Sequence, residues 1–306
     1  MGSSTDQATL RLPVTWTGRL LRRIVHLAAR ASGLRRVADR GWPRFEGGRP
    51  ADAGDPTIVL VHGFGVDGST MLQLGRCLVG GHRVVVPDLP GFGEHEPPTS
   101  WAPEHPPGIE PFLEALDDLL DRLGIERPIL VGSSMGGAIV AQFAATRTDR
   151  VSGLVLVGPA GIEPPVDSEV FAAAKRDEHM LKVVDRESFD HVYALNFVKP
   201  PWMPGWMRST IGRESAPRAV EYEAVLRSLE PVLLGTPKDY TSIQCPTEIV
   251  WGAEDRIIDP SAGPLWADAI EGAVLTVIPE TGHSTMVEDP RGVAAAVERV
   301  VRRVRS

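Results

Sequence analysis

Six short runs of aliphatic and β-branched residues, at 57–61 (TIVLV), 83–86, 129–131, 151–157, 247–251 and 273–278, leave this chain few ways to fold. Each is too short for a helix and apolar through most of its length, the pattern of a strand buried on both faces. Stretches of helical period lie at 70–79, 109–123, 135–145, 261–270 and 291–304. Strands that alternate with helices of about ten to fifteen residues pair in parallel, because a parallel neighbour is reached only by a crossover of that length. The fold class expected is α/β, with a mostly parallel central sheet and helices on both faces. A chain of 306 residues is long enough to bury such a core.

One region breaks the alternation. Residues 161–243 hold several helical patterns and the apolar turn Pro200-Pro201-Trp202-Met203-Pro204-Gly205-Trp206-Met207, but no convincing buried strand. They read as a helical cap inserted over the carboxyl ends of the strands, where open α/β sheets bind their ligands. The expected organisation is an arm over 1–46, core over 47–160 opening on a Gly/Pro/Asp linker, cap over 161–243 and core again over 244–306. Within the cap, Phe197, Trp202 and Trp206 are candidates for contact with an apolar substrate, and Met180, Phe189 and Tyr193 are expected to face the same space. Packing inside the cap is the competing role for the Trp/Met turn.

The arm carries a charge opposite to the body's. Residues 1–50 hold ten Arg against Asp6, Asp39 and Glu46, a net +7, which leaves −15 for the remainder of a chain whose total is −8. An acidic body argues against nucleic acid as a partner. From 17 to 37 the apolar residues Leu20, Leu21, Ile24, Leu27, Ala28, Ala31, Leu34 and Val37 recur at helical spacing with Arg between them. This is a basic amphipathic helix suited to an anionic membrane surface, or to packing against the acidic body. It lacks the apolar core of a secretory signal, so a cytoplasmic location is expected, peripheral on the membrane, with the arm dispensable for chemistry. An organelle transit peptide is the lesser alternative. The first ten residues read as disordered. Cys77 and Cys245 read as two buried thiols, and no Cys/His cluster has metal-binding spacing.

The chemistry is carried by Gly132-Ser133-Ser134-Met135-Gly136-Gly137, which directly follows one predicted strand and directly precedes a helix. A G-x-S-x-G turn in that context presents its serine hydroxyl above the sheet at a helix N-terminus, where developing negative charge is favoured. Ser134 is therefore the candidate nucleophile, and it needs a base. Of eight histidines, only His283 lies in a loop just past the last predicted strand. His95 and His105 sit in a Pro-rich loop and read as satisfied or solvated. Asp255, four residues past the strand at 247–251, is the candidate acid that would orient His283, with Glu254 and Asp259 as competitors. His62-Gly63-Phe64-Gly65 ends the first predicted strand. Its glycines allow the Phe64 N–H to join that of Met135 in a two-donor oxyanion hole, with His62 bracing the loop.

With these residues in place, the stretch 57–304 resembles the α/β-hydrolase superfamily, whose triad order is Ser, Asp, His. The segments GSSMGG, LVLVGPAGI, PTEIVWGAEDRIID and GHSTMVEDP are similar to the branch of monoacylglycerol lipases and bacterial carboxylesterases and lipases. The resemblance implies an α/β-hydrolase fold, hydrolysis of acyl glycerol esters through an acyl-enzyme, and neither metal nor cofactor. It also implies an N-terminal anchor helix, a place that the basic helix occupies. That family carries a β-hairpin before its first parallel strand, whereas residues 42–46 offer one short strand at most. Two other functions compete. A C–C bond hydrolase of ring-cleavage products uses the same triad but resembles a Gly-Pro-Gly-Ala continuation where this chain reads Gly65-Val66-Asp67-Gly68. A catalytically silent binding protein would have no need of all three triad residues.

Overall fold

The computed structural model describes residues 15–39, 41–49, 55–97, 108–176, 178–233 and 240–306. The eight strands are β1 (Leu34–Asp39), β2 (Trp42–Gly47), β3 (Ile58–Val61), β4 (Val84–Pro87), β5 (Ile129–Ser133), β6 (Gly153–Val157), β7 (Thr247–Gly252) and β8 (Val274–Ile278). They form one sheet in the order β1-β2-β4-β3-β5-β6-β7-β8. From β4 to β8 every neighbouring pair is parallel, and the β1–β2 hairpin joins the β4 edge antiparallel. The six predicted runs are all strands of this sheet.

The helices are α1 (Trp16–Ala31), α2 (Leu72–Leu78), α3 (Glu110–Leu123), α4 (Met135–Thr146), α5 (Glu169–Ala174), α6 (Arg186–Asn196), α7 (Gly205–Ser215), α8 (Ala219–Leu233), α9 (Ala262–Ala269), α10 (Thr285–Glu288) and α11 (Pro290–Arg305). Alternate residues of each strand serve two cores. Val59, Val61, Leu130, Leu154 and Trp251 pack with α3, α4, α8 and α9 on one face. Ile58, Leu60, Val84, Val131 and Val155 pack with α2 and α11 on the other. Burying both faces is why β3, β4, β5 and β6 are apolar through most of their length rather than alternating. Between β6 and β7 the chain runs through α5 to α8 and adds no strand among its described residues.

The arm differs from expectation. Its helix stops at Ala31 rather than running to Val37, because Gly33 takes φ +80°, a left-handed value that ends the turn. Residues 34–39, whose spacing continues the helical pattern, become β1 and pair with β2 residue for residue, Leu34 opposite Gly47 through Asp39 opposite Trp42. The hairpin missing from the sequence reading is therefore present. Leu34 buries in the core under α2, so its apolar character serves the sheet and not the helix. Cys77 is exposed and Cys245 only half-buried, against the expectation of two buried thiols. No helix among the described residues is long and apolar enough to cross a membrane. The first ten residues, His105 and part of the predicted linker lie outside the described residues.

The hairpin makes a prediction that separates strand from helix. A chain starting at Gly33 keeps β1, whereas one starting at Trp42 leaves β2 as a bare edge and removes the buried guanidinium of Arg36 from its partner Asp88. Losing one partner of a buried pair costs about 3 kcal/mol or more. The shorter chain should therefore unfold at clearly lower urea than the chain starting at Gly33. Equal midpoints would show that the hairpin adds no stability.

Candidate active site

The β5 strand delivers Ser134 to the head of α4 with φ 55° and ψ −120°, a conformation that costs a non-glycine residue about 1–3 kcal/mol. The surroundings hold it there. Its N–H donates to the Val157 carbonyl at 3.0 Å, and its own carbonyl accepts from Ala138 and Ala160, both at 3.1 Å. A Cβ on Gly132 would lie 2.3 Å from the Gly136 oxygen, and one on Gly136 would lie 2.4 Å from the His62 oxygen. Strand and helix close on the turn only because both positions lack side chains. The Met135 N–H, in the first turn of α4, has no carbonyl one turn back inside the helix.

His283 and Asp255 meet at the neighbouring strand ends. His283 Nδ1 is 2.7 Å from Asp255 Oδ2, and both side chains are buried. The other oxygen, Oδ1, accepts from the N–H groups of Ile257 and Ile258 at 2.8 and 3.0 Å. The carboxylate is thus fixed on both oxygens, which sets the tautomer of the imidazole facing it. Gly158, next to the residue that binds Ser134, lies against this pair: a Cβ there would sit 3.4 Å from Asp255 Oδ2 and 3.6 Å from His283 Nδ1. Glu254 accepts instead from the Thr281 N–H, and Asp259 caps Ser261. Neither competitor touches His283 in these contacts.

Gly63 brings the third component in. A Cβ at Gly63 would lie 3.2 Å from the Ser134 Cβ, so the loop carrying Phe64 passes directly over the serine. His62 braces it: Nε2 accepts from the Leu89 N–H at 2.9 Å, which makes Nδ1 the donor to the Gly63 carbonyl at 2.8 Å. Ser134, His283, Asp255, Phe64 and Met135 are therefore gathered at the carboxyl ends of β3, β5, β6, β7 and β8. Among the described residues no cluster of His, Cys, Asp and Glu is arranged to hold a metal ion.

The alpha/beta hydrolase family profile matches residues 58–296. The chain belongs to this family. It is 31% identical over 241 residues to Lipase 1 of Psychrobacter immobilis, covering 77% of this chain and 73% of that protein. It is 26% identical over 264 residues to a monoacylglycerol lipase of Homo sapiens, covering 82% and 76%. Among solved structures it is similar to a membrane phospholipase A described as a bacterial virulence factor, with TM-score 0.81, 27% identity and coverage of 94% and 91%.

In this α/β hydrolase the cap candidates separate. Phe197 lies beside the histidine loop: its Cα would be 3.3 Å from a Cβ on Gly282. It stands in an aromatic row with Tyr193 and Phe189, at centroid distances of 4.9 and 5.7 Å. Met180 packs against the core instead. Trp202 is 87% exposed, and Trp206 is exposed on α7. Two further residues went unrecognised in the sequence. Asn196 clamps the histidine loop to the end of α6, its carbonyl accepting from the Ser284 N–H at 3.0 Å and its Oδ1 from the Ser284 hydroxyl at 3.1 Å. Tyr222 of α8 stacks on Phe92 at 5.0 Å and meets Phe64 edge-on at 5.8 Å. Each is a lone polar or aromatic residue in a helix, with no local pattern to mark it.

Burial holds the imidazoles of His62 and His95 below the ordinary histidine value of 6.5, against the opposing pull of Asp88 on both. The unfolded chain protonates these histidines first, so their contribution is fully present above pH 6.5 and falls as pH drops below it. Stability should hold from pH 7.5 to about 6.5 and decline from there to about pH 5.5, by up to about 1.4 kcal/mol per pH unit for each histidine. Urea unfolding across that range measures it, and His95→Asn should flatten the slope. A flat profile in the parent protein would contradict the assignment.

Proposed function

We propose that this hydrolase cleaves carboxylic esters of lipids, monoacylglycerols or similar esters, through an acyl-enzyme on Ser134. The observation that carries the reading is Ser134 in its left-handed turn beside the buried Asp255–His283 pair. The names of the lipases and of the phospholipase to which the chain is similar support the lipid class. In the proposed reaction His283 Nε2 takes the hydroxyl proton as Ser134 Oγ bonds to the acyl carbon. The oxyanion is received by the N–H groups of Phe64 and Met135. His283 then returns the proton to the departing alcohol. Water next gives a proton to His283 as its hydroxyl bonds to the acyl carbon, and His283 passes that proton to the departing Ser134 Oγ, releasing the carboxylic acid and restoring the hydroxyl. Asp255 holds the tautomer and stabilises the imidazolium throughout. Phe197 and its aromatic row are the proposed wall for the acyl chain.

Three variants test the roles together. Ser134→Ala and His283→Ala should each abolish turnover of a nitrophenyl ester, and Ser134→Ala should abolish fluorophosphonate labelling. Asp255→Asn should cost on the order of a thousandfold or more in kcat. Labelling that persists in Ser134→Ala, or full loss in Glu254→Gln beside a nearly active Asp255→Asn, overturns the assignment. A parent protein that turns over a ring-cleavage dienoate in preference to glycerol esters would favour the C–C hydrolase reading.

We further propose that α1 attaches the hydrolase to anionic lipid surfaces. One face of the helix, through Gly18, Val25 and Ala29, is turned to the body, and Arg22 pairs with Glu94. The opposite face exposes Trp16 (70%), Leu20 (40%) and Leu27 (63%), with exposed Arg23 and Arg30 at the intervening turns. Exposed apolar side chains flanked by arginines suit a helix lying in the headgroup plane, each Arg adding about 1 kcal/mol on anionic lipid. The double variant Leu20→Glu/Leu27→Glu should lose flotation with phosphatidylglycerol vesicles while keeping turnover of a water-soluble ester. Flotation of the parent equally with phosphatidylcholine, or retained binding in the variant, counts against this surface.

A further inference from the structure

The segment that follows β4 carries a buried carboxylate that the reaction does not use. Asp88 is 1% exposed and has five hydrogen-bonded neighbours, the first being Pro43 of β2, whose carbonyl accepts from the Asp88 N–H at 3.0 Å. Its Oδ1 accepts from the Gly68 N–H at 3.0 Å. Its Oδ2 accepts from the Glu94 N–H at 3.0 Å and from the Arg36 guanidinium at 2.5 Å. Its carbonyl meets His95 Nδ1 at 2.9 Å. Two glycines make room for the carboxylate: a Cβ on Gly68 would lie 3.1 Å from Oδ1, and one on Gly93 would lie 2.5 Å from Oδ2. Arg36, on β1, also pairs with Glu94 and lies over the Phe45 ring at 4.8 Å.

The loop that carries Phe64 is pinned at both ends to this segment. At its start His62 accepts from the Leu89 N–H, and at its end the Gly68 N–H donates to Asp88. Between these pins, Gly65 takes φ +70° and Phe64 rests on Phe92 and Tyr222. No other hydrogen bond involving residues 88–95 reaches the loop from 62 to 68 among those described. The loop is thus held at Leu89 before Phe64 and at Asp88 after it, and of the groups that bond the Asp88 carboxylate Arg36 is the one cation.

We propose that Arg36 and Asp88 are positioning residues for the oxyanion hole: they fix the Phe64 N–H from outside the site, and a guanidinium on the N-terminal hairpin thereby sets the rate of the ester reaction. The inference rests on the proposed role of Phe64. Paired with Arg36 and the two backbone donors, the carboxyl is held below the usual aspartate range in spite of its burial, which alone would raise it. Without Arg36 the carboxylate would be left in a low-dielectric pocket with only neutral donors, and the segment would shift to reach water. A shift of a few tenths of an ångström at Asp88 passes to Gly68 through a hydrogen bond. An oxyanion donor loses most of its effect when it no longer points at the developing charge.

The experiment uses the full chain, a short-chain nitrophenyl ester that requires no lipid surface, and active sites counted by the end-point of fluorophosphonate labelling. Arg36→Gln should lower kcat per counted site by about 10–100-fold, less than outright removal of a donor, with KM within about twofold. A boronic acid that forms a tetrahedral adduct on the serine should lose affinity by the same factor, because it uses the same N–H groups. Arg36→Lys should recover most of both losses, and Asp88→Asn should repeat them if it folds. Unchanged kcat in folded Arg36→Gln, a change confined to KM, or boronate affinity that does not follow kcat overturns the proposal. Failure of the parent protein to hydrolyse esters would instead overturn the reading on which it rests.

Discussion

The constraint on which the site depends is the backbone of Ser134. A residue with a side chain at φ 55° persists only where its neighbours leave it no other conformation. Here the restraints are the hydrogen bond from Ser134 to the Val157 carbonyl, those from Ala138 and Ala160 to the Ser134 carbonyl, and the close approach of Gly132, Gly136 and Gly137 to the chain around them. Gly136 lies against the carbonyls of Val61 and His62, so the same contact that seats the serine also fixes where the Phe64 loop leaves β3. The strain is stored in a sheet whose inner strands β3 to β7 are buried on both faces, and its cost is small against that much apolar burial.

Around this turn the site uses charge sparingly. Asp255 and Asp88 are both buried carboxylates, and each is satisfied on both oxygens by a combination of backbone N–H groups and one cationic or ionisable partner. Burying a charge is tolerable only when it is paired and hydrogen-bonded to that extent. The two differ in what they face. Asp255 addresses an imidazole that can change protonation during turnover, whereas Asp88 addresses an arginine that cannot. In the proposed reaction the first carboxylate orients the imidazole that carries the proton, and in the inference above the second fixes a loop.

What was legible in the sequence follows from what is local. The β5 strand, the glycine-flanked serine and α4 are contiguous, so residues 129–146 announce their own geometry. Asp255 and His283 are legible because each stands in a short loop just past a strand whose apolar run is plain. The arm was misread because Leu34 and Val37 continue the helical spacing of α1, and periodicity does not register a single glycine taking a left-handed turn at Gly33. Asp88, Asn196 and Tyr222 were invisible for another reason. The partners that give them a role lie 20 to 158 residues away in sequence, at Gly68 and Arg36 for Asp88, Ser284 for Asn196 and Phe64 for Tyr222.

On the two proposals above, the arm would join two tasks that its composition made look like one. Its charge suggested a separate surface element, yet of the arginines in and just after α1, Arg22 and Arg36 are turned inward to Glu94 and Asp88 while Arg23 and Arg30 remain outward. Spacing explains the division: residues 18, 22, 25 and 29 share one side of the helix, and 16, 20, 23, 27 and 30 the other. The inward arginines neutralise acidic groups beside the Phe64 loop, and the outward ones accompany an apolar face. Glu94 receives both Arg22 from α1 and Arg36 from β1, so helix and hairpin share this carboxylate in addition to the apolar contacts of Val25, Ala29 and Leu34 with the core. A helix held at this point presents its outer face at a fixed angle to the core, as a linker-borne anchor does not. Attachment of that face to a surface would orient the whole hydrolase rather than merely tether it.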